Sequence, residues 1–415
     1  MGIGRNDEAA GAAERVARDS YGRLIAYLAA RTRDVAGAED ALSDAFAAAL
    51  RLWPVEGIPR NPDAWLLTVA RRRQTDAHRR DATRRAGEDH VKLVADEIEH
   101  AARTADAIPD RRLALMFACA HPAIERGMRA PLMLQTILGL TAQDIAAAFL
   151  VPPGAMGQRL VRAKSRIREA GIPFTIPAGP ELPDRLEAVL DAIYAAYARG
   201  WAEIDGTDMP AMADEALWLG QLVVALLPAE PEALGMLALM LYAEARRAAR
   251  RDPSGAYVPL EEQDTSLWDD SQIQRAESLL HAANRAGPSG RYQLEAAIQS
   301  AHAARRLAGV DNRAAIVALY DHLLARTRSP VVALNRAIAL AEIDGPAAGL
   351  AALGAIADDR RMQTYQPYWA ARAHLLAATG DREAALAAVT VAIGLATDPA
   401  IRAWLGTRRD ALRHG

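Results

Sequence analysis

Apolar residues recur at the spacing of one helical face through most of the chain. In "DVAGAEDALSDAFAAALRLW" the positions Val35, Ala38, Leu42, Phe46, Ala49 and Trp53 form one stripe, with Glu39, Asp40, Ser43 and Asp44 on the opposite side. The segment "NPDAWLLTVARRRQTDAHRR" opens with Asn61 as N-cap and Pro62 at the first helical position. Its apolar start at Trp65, Leu66 and Val69 gives way to Arg71, Arg72 and Arg73 and then Arg79 and Arg80. At least three helices are therefore expected before residue 85.

Residues 110–170 read as four short helices. Gly139 can end one of them, and Thr141 opens the next with Asp144 three residues on, a variant of the capping box. Pro152-Pro153-Gly154 then forces a turn. The helix beyond places Gln158, Arg159, Arg162 and Arg166 on one face and Met156, Leu160, Ala163 and Ile167 on another. A capped short helix, a tight turn and a longer second helix make a helix-turn-helix pattern. Pro173, Pro177, Pro180 and Pro183 exclude continuous helix and mark a linker over 171–183. Residues 184–415 are again helical, with turns expected at Asp311, Gly345 and Gly380, spaced 34 and 35 apart. Pro330 and Pro399 lie 69 apart, two such steps. A period near 34 residues is that of tetratricopeptide-type solenoids, which "ATGDREAALAAVTVAIGLATDP" resembles.

A chain of 415 residues calls for two or three domains, and its wealth of alanine, leucine and arginine favours an all-α fold. The single cysteine, Cys119, excludes an intramolecular disulfide or a multi-cysteine zinc site and suits a reducing cytoplasm. The first twenty residues lack an apolar signal core, and the apolar region Leu217 to Ala245 is interrupted by "PAEPEA", so no membrane partner is expected. The net charge of −3 conceals blocks. Arg60 to Arg85 carries eight arginines and three aspartates, Met156 to Glu169 five basic residues and one acid, and Ala86 to Asp110 seven acids and two bases. Two basic surfaces joined by an acidic connector over 86–109 follow from this alternation.

No phosphate-binding loop and no H-E-x-x-H pair occurs. His281, His302, His322 and His374 are scattered, and Cys119 and His121 lack a third partner. Glu261, Glu262, Asp264, Asp269 and Asp270 do not follow the spacing of a calcium loop. No catalytic set, metal or cofactor is therefore expected, and the chain is not read as an enzyme. Positive helix faces instead suit DNA, where Gln158 and Arg159 can address base edges while neighbouring arginines neutralise phosphates.

The order "AEDALSDAFAAALRLW", "NPDAWLLTVARRRQTDAHRR" and "GLTAQDIAAAFLVPPGAMGQRLVRAKSRIREAGIPF" resembles an extracytoplasmic-function (ECF) sigma factor. With "FACAHPAI" and "YVPLEEQDTSLWDDSQI", it is similar to the subgroup that carries a long helical C-terminal extension. The resemblance covers nearly the whole chain. It implies a sigma-2 domain over 9–85, a sigma-4 domain over 110–170 and a tetratricopeptide-like tail over 184–415. It further implies docking of Glu39, Asp40, Ser43 and Asp44 on the β′ clamp of core RNA polymerase, and a contact with the β flap. Trp65, Arg71, Arg72, Arg73, Asp76, Arg79 and Arg80 would serve the −10 element of promoter DNA. Gln158, Arg159, Arg162, Lys164 and Arg166 would serve the −35 element. The chain departs from many relatives at Pro152 and Ala155, where they place a hydroxyl, and at Arg72, where they place asparagine. The tail is expected to regulate the DNA-binding half in cis or to bind a regulatory protein, with the acidic loop holding Tyr257 and Trp268 as a contact patch. The alternative reading is a helix-turn-helix regulator with a tetratricopeptide-like interaction domain. A scaffold with incidental basic helices is a third.

Overall fold

The computed structural model describes residues 2–82, 110–149, 151–177, 181–202 and 212–414, apart from the side chains of a few helical positions. The acidic connector expected over 86–109 lies outside them. Among the described residues the chain is all-α, with one isolated antiparallel bridge between Arg251 and Tyr257 and no strand. Contacts divide it into two compact units, Met1–Leu219 and Gly220–Gly415.

The first unit begins with α1 (Gly2–Thr32), α2 (Val35–Glu56) and α3 (Pro62–Ala82), which all pack on one another. Leu24, Ile25 and Leu28 of α1, Leu42, Ala49 and Trp53 of α2 and Leu66, Leu67 and Ala70 of α3 are buried. Phe46 is only half-buried. The Asp34 side chain caps α2 by accepting the Gly37 N–H at 3.1 Å, and Asn61 caps α3 by accepting the Ala64 N–H at 3.1 Å. Trp53 and Trp65 meet edge to face, 5.6 Å between centroids.

Four helices follow: α4 (Arg112–Cys119), α5 (Arg126–Leu138), α6 (Ala142–Ala148) and α7 (Pro153–Glu169). Gly139 ends α5 in the left-handed region at φ 72°, and the Leu140 N–H reaches back to the Leu134 carbonyl at 3.3 Å. The capping box before α6 is reciprocal. Thr141 N–H donates to Asp144 Oδ2 at 3.1 Å, and Asp144 N–H donates to Thr141 Oγ1 at 3.3 Å. Pro153 is the first residue of α7, where a missing N–H costs nothing.

The helix α8 (Glu181–Ala202) starts inside the proline-rich stretch, with Pro183 in its first turn, where proline is tolerated. It packs on α4 and α5, burying Leu186, Val189, Leu190 and Ile193. Arg185 donates to the Phe117 carbonyl at 3.0 Å, and Arg126 pairs with Asp191 at 2.7 Å. The first helix after the prolines thus belongs to the first unit. The short α4, buried from Leu113 through Cys119, needs that cover.

The unit boundary falls inside α9 (Met212–Leu226). Beyond it, α10 (Pro231–Glu244) is buried from Ala233 to Tyr242 and packs on α11 (Asp270–Ala286) and α12 (Arg291–Ala308). Glu232 of α10 caps α12 across space, accepting the N–H groups of Tyr292 and Gln293 at 3.0 and 3.2 Å. The remaining helices are α13 (Arg313–Thr327), α14 (Pro330–Asp344), α15 (Pro346–Gly354), α16 (Arg360–Gln363), α17 (Gln366–Ala378), α18 (Arg382–Leu395) and α19 (Pro399–His414). The three expected turns lie between α12 and α13, between α14 and α15 at Gly345, and between α17 and α18 at Gly380. Pro330 and Pro399 each open a helix.

Trp218 is 38 % exposed, and the Arg112 guanidinium lies 5.1 Å from its ring centre, where cation and ring shelter each other. Leu222, Tyr242 and Leu376 are buried, whereas Leu226 and Trp369 are half-buried. The acidic loop is strapped down: Trp268 is buried, and Tyr257 meets Trp404 edge on at 5.7 Å. Arg251 pairs with Asp398, and Arg408 with Glu262, both at 2.6 Å. Trp268 is thus closed off, while the acidic residues of the loop and Leu267 are exposed.

Candidate nucleic-acid and polymerase interface

Helix α2 carries an exposed stripe through Asp40, Ser43 and Asp44. The stripe continues at helical spacing through Ala47 and Leu50 on one edge, and through Arg51 and Val55 on the other, with Val55 78 % exposed. Those apolar positions were not anticipated from the sequence, although their offsets from Asp40 extend the same face. Glu39 departs from it. Its carboxylate pairs with Lys164 Nζ of α7 at 2.5 Å, with both side chains largely buried. Burial raises the Glu39 carboxyl above its ordinary range and neighbouring Asp40 adds to this, while Lys164 opposes it. Glu39 and Lys164 therefore occupy each other instead of presenting charge to polymerase or to DNA.

On α3, Arg71 and its neighbours part company. Arg71 is buried, with its guanidinium 4.7 Å from the Tyr27 ring centre and donating to the Tyr27 hydroxyl. It holds α3 to α1 and does not face outward as expected. Arg72 and Arg73 are exposed, Arg73 lying 3.8 Å from Asp44, and Trp65 is half-buried. The helix runs on past Asp76, Arg79 and Arg80, whose side chains lie outside the described residues.

On α7 the two faces separate as the spacing predicts. Met156, Leu160, Ala163 and Ile167 are buried, and Gln158, Arg159, Arg162 and Arg166 are exposed. Arg159, Arg162 and Arg166 have no ion-pair partner among the described residues, so their charge is available to an anionic surface. Arg168, two residues beyond, pairs with Asp34 at 3.3 Å.

Elsewhere the chemistry is structural. Cys119 is fully buried beside Thr136 Oγ1 at 3.5 Å, and burial pushes its thiol up to about 12. His121 accepts the Ala123 N–H at its Nδ1, and burial with the charges of Arg185 and Arg129 lowers its pKa. Among the described residues, no three His, Cys, Asp or Glu side chains gather as a metal set, and no helix is long and apolar enough to cross a membrane. Asp264 and Asp269 accept the Ser266 and Ser271 N–H groups, both at 2.9 Å, as turn and helix caps.

Residues 17–85, the bundle of α1 to α3, match sigma-70 region 2. That match supports a sigma-70-type factor, since sigma-70 region 2 implies interaction with core RNA polymerase and promoter DNA in transcription initiation. Residues 185–284 match a family of unknown function (DUF6596). The chain is 36% identical over 400 residues to "Uncharacterized protein R00370" of Rhizobium meliloti (strain 1021), covering 95% of this chain and 93% of that protein. It belongs to the same family as that protein. No solved structure matches the chain.

Proposed function

We propose that the chain is an ECF-type sigma factor whose two basic helices address two promoter elements. The carrying observation is the exposed row Gln158, Arg159, Arg162 and Arg166 on α7, whose arginines have no ion-pair partner among the described residues, within the same compact unit as the region 2 bundle. On this reading α6, the Pro152-Pro153 turn and α7 act as a helix-turn-helix that places that row in the major groove at the −35 element. Arg72 and Arg73 support the separated strands at the −10 element, together with Trp65, Asp76, Arg79 and Arg80. Asp40, Ser43 and Asp44, extended by Leu50 and Val55, dock on the β′ clamp, and residues 110–170 meet the β flap.

The helix pairs from α13 to α19 support a tetratricopeptide-like tail that controls the DNA-binding half or holds a regulatory protein. The factor acts in the cytoplasm and needs no cofactor of its own.

Reconstituted transcription with bacterial core polymerase stripped of sigma tests the reading. Specific initiation by this chain alone is expected. Arg159→Ala and Arg162→Ala are each expected to weaken promoter binding by about 1–3 kcal/mol. Salt-dependent DNA binding without initiation would favour the alternative, a helix-turn-helix regulator that does not replace sigma.

A further inference from the structure

The second unit contains a cleft of about 420 Å³ that promoter recognition does not use. It opens between the C-terminal end of α13, the first half of α14 and the end of α15. Leu324, Ala333, Ala352 and Ile356 give it apolar walls. Sites for small molecules have volumes of roughly 300–1,000 Å³ and are mostly apolar, with a few polar groups that fix the ligand. The cleft matches that description in size and in lining.

Of the charged side chains that line it, Arg336 and Asp359 are already occupied. Arg336 pairs with Asp321 of α13, and Asp359 holds Arg361 at 2.6 Å while capping α16. The Arg328 guanidinium has no hydrogen bond or ion pair among the described residues. A lone exposed arginine is ordinary on a helix face, but Arg328 ends α13 in the left-handed region at φ 49°. Glycine is the usual residue there, because a side chain crowds the backbone. The other described positive-φ positions of this unit, Gly255, Gly309, Gly345 and Gly380, are all glycine. A side chain kept in a strained conformation at the edge of a cleft points to a contact that the side chain makes. Ser329 follows at the N-cap of α14 without capping it, so a free hydroxyl and the positive end of that helix adjoin Arg328.

We infer that this cleft is a receptor site for a small amphipathic carboxylic acid, with its apolar body between α14 and α15 and its carboxylate on Arg328. The guanidinium fork accepts a carboxylate through two parallel hydrogen bonds, and the apolar walls reward burial of the body. A wholly apolar ligand leaves Arg328 unused, and a cation meets it as a like charge. The site lies within the second unit and does not depend on the sigma-factor reading. It gives the tail a chemical input distinct from any protein it contacts.

The test titrates the full chain with octanoate by calorimetry, with 1-octanol as the uncharged counterpart. Saturable binding of octanoate is expected at one site per chain, with a dissociation constant below about 1 mM and a matching rise in melting temperature. Arg328→Gly removes the guanidinium and suits the left-handed backbone, so the fold is retained. It should weaken octanoate at least tenfold and leave 1-octanol unchanged. Ala355→Trp fills the cleft from an exposed position and leaves Arg328 in place. It should weaken both ligands at least tenfold.

No saturable binding of octanoate to the parent would overturn the site. Equal octanoate affinity in the parent and Arg328→Gly would remove the carboxylate from the assignment. Parent-like binding by Ala355→Trp would place the ligand outside the cleft and overturn the proposal as well. A short peptide that ends in leucine with a free carboxylate supplies the last arm. If it bound more than tenfold tighter than octanoate, the cleft would belong to a protein C-terminus and the small-acid assignment would fail.

Discussion

Arg71 and Arg72 are adjacent arginines in one basic run, yet they have opposite environments. Arg71 spans α3 and α1 through the Tyr27 ring and hydroxyl, and its aliphatic stem is buried with it. Arg72 projects into solvent. Arg71→Ala is expected to destabilise the first unit by about 1–3 kcal/mol, visible as a lower melting temperature. Arg72→Ala should leave melting almost unchanged but weaken DNA binding and reduce the slope of log affinity against log salt by about one. Equal melting temperatures for the two variants would show that the Tyr27 contact contributes nothing. The sequence alone could not separate these arginines, because a run of one residue type has no internal pattern and the distinguishing partner lies 44 positions away.

At the scale of elements, local rules carried much further. Asn61 with Pro62, the Thr141–Asp144 box and the Gly139 terminus all follow from residue type at fixed offsets, and each occurs where the sequence places it, whereas the helix expected beyond Gly154 already starts at Pro153. Asn61→Ala should therefore cost about 1 kcal/mol of stability to the bundle of α1 to α3, measured by urea unfolding. What stayed illegible was long-range. Glu39 and Lys164 each sit on the polar side of an amphipathic helix, and nothing local says that they meet across 125 positions. The placement of α8 was hidden for the same reason, since prolines announce an interruption but not which neighbour the next helix covers. A pH effect also belongs here. The Arg361 guanidinium and N–H hold the Asp359 carboxyl at about 2, below its ordinary 3.8. A carboxyl lowered by folding stabilises fully above its unfolded value and loses that contribution as pH falls through the folded one. Asp359→Asn should accordingly flatten the pH dependence of the urea midpoint between about pH 4 and pH 2. An identical acid profile would mean that Arg361 does not hold the ionised form.

By its contacts the molecule divides between Leu219 and Gly220 and not at the proline-rich stretch. Cutting the chain after residue 176 keeps α1 to α7, but it removes α8 and uncovers α4 and α5. Leu186, Val189, Leu190 and Ile193 are each buried to within 3% of complete, and Arg185 and Asp191 add polar ties to Phe117 and Arg126. Burial of one such side chain is worth about 1.5–3 kcal/mol, so several kcal/mol would be lost, a large share of the stability of a domain. A chain ending at residue 202 keeps α8 and should melt well above one ending at residue 176, with far less exposed apolar surface detected by a hydrophobic dye. Equal melting of the two would make α8 dispensable to this half and would return the boundary to the prolines. With α8 retained, loss or gain of transcription on removing the remaining helices reports on the tail as a regulator. With α8 removed, the same experiment reports mainly on a damaged core.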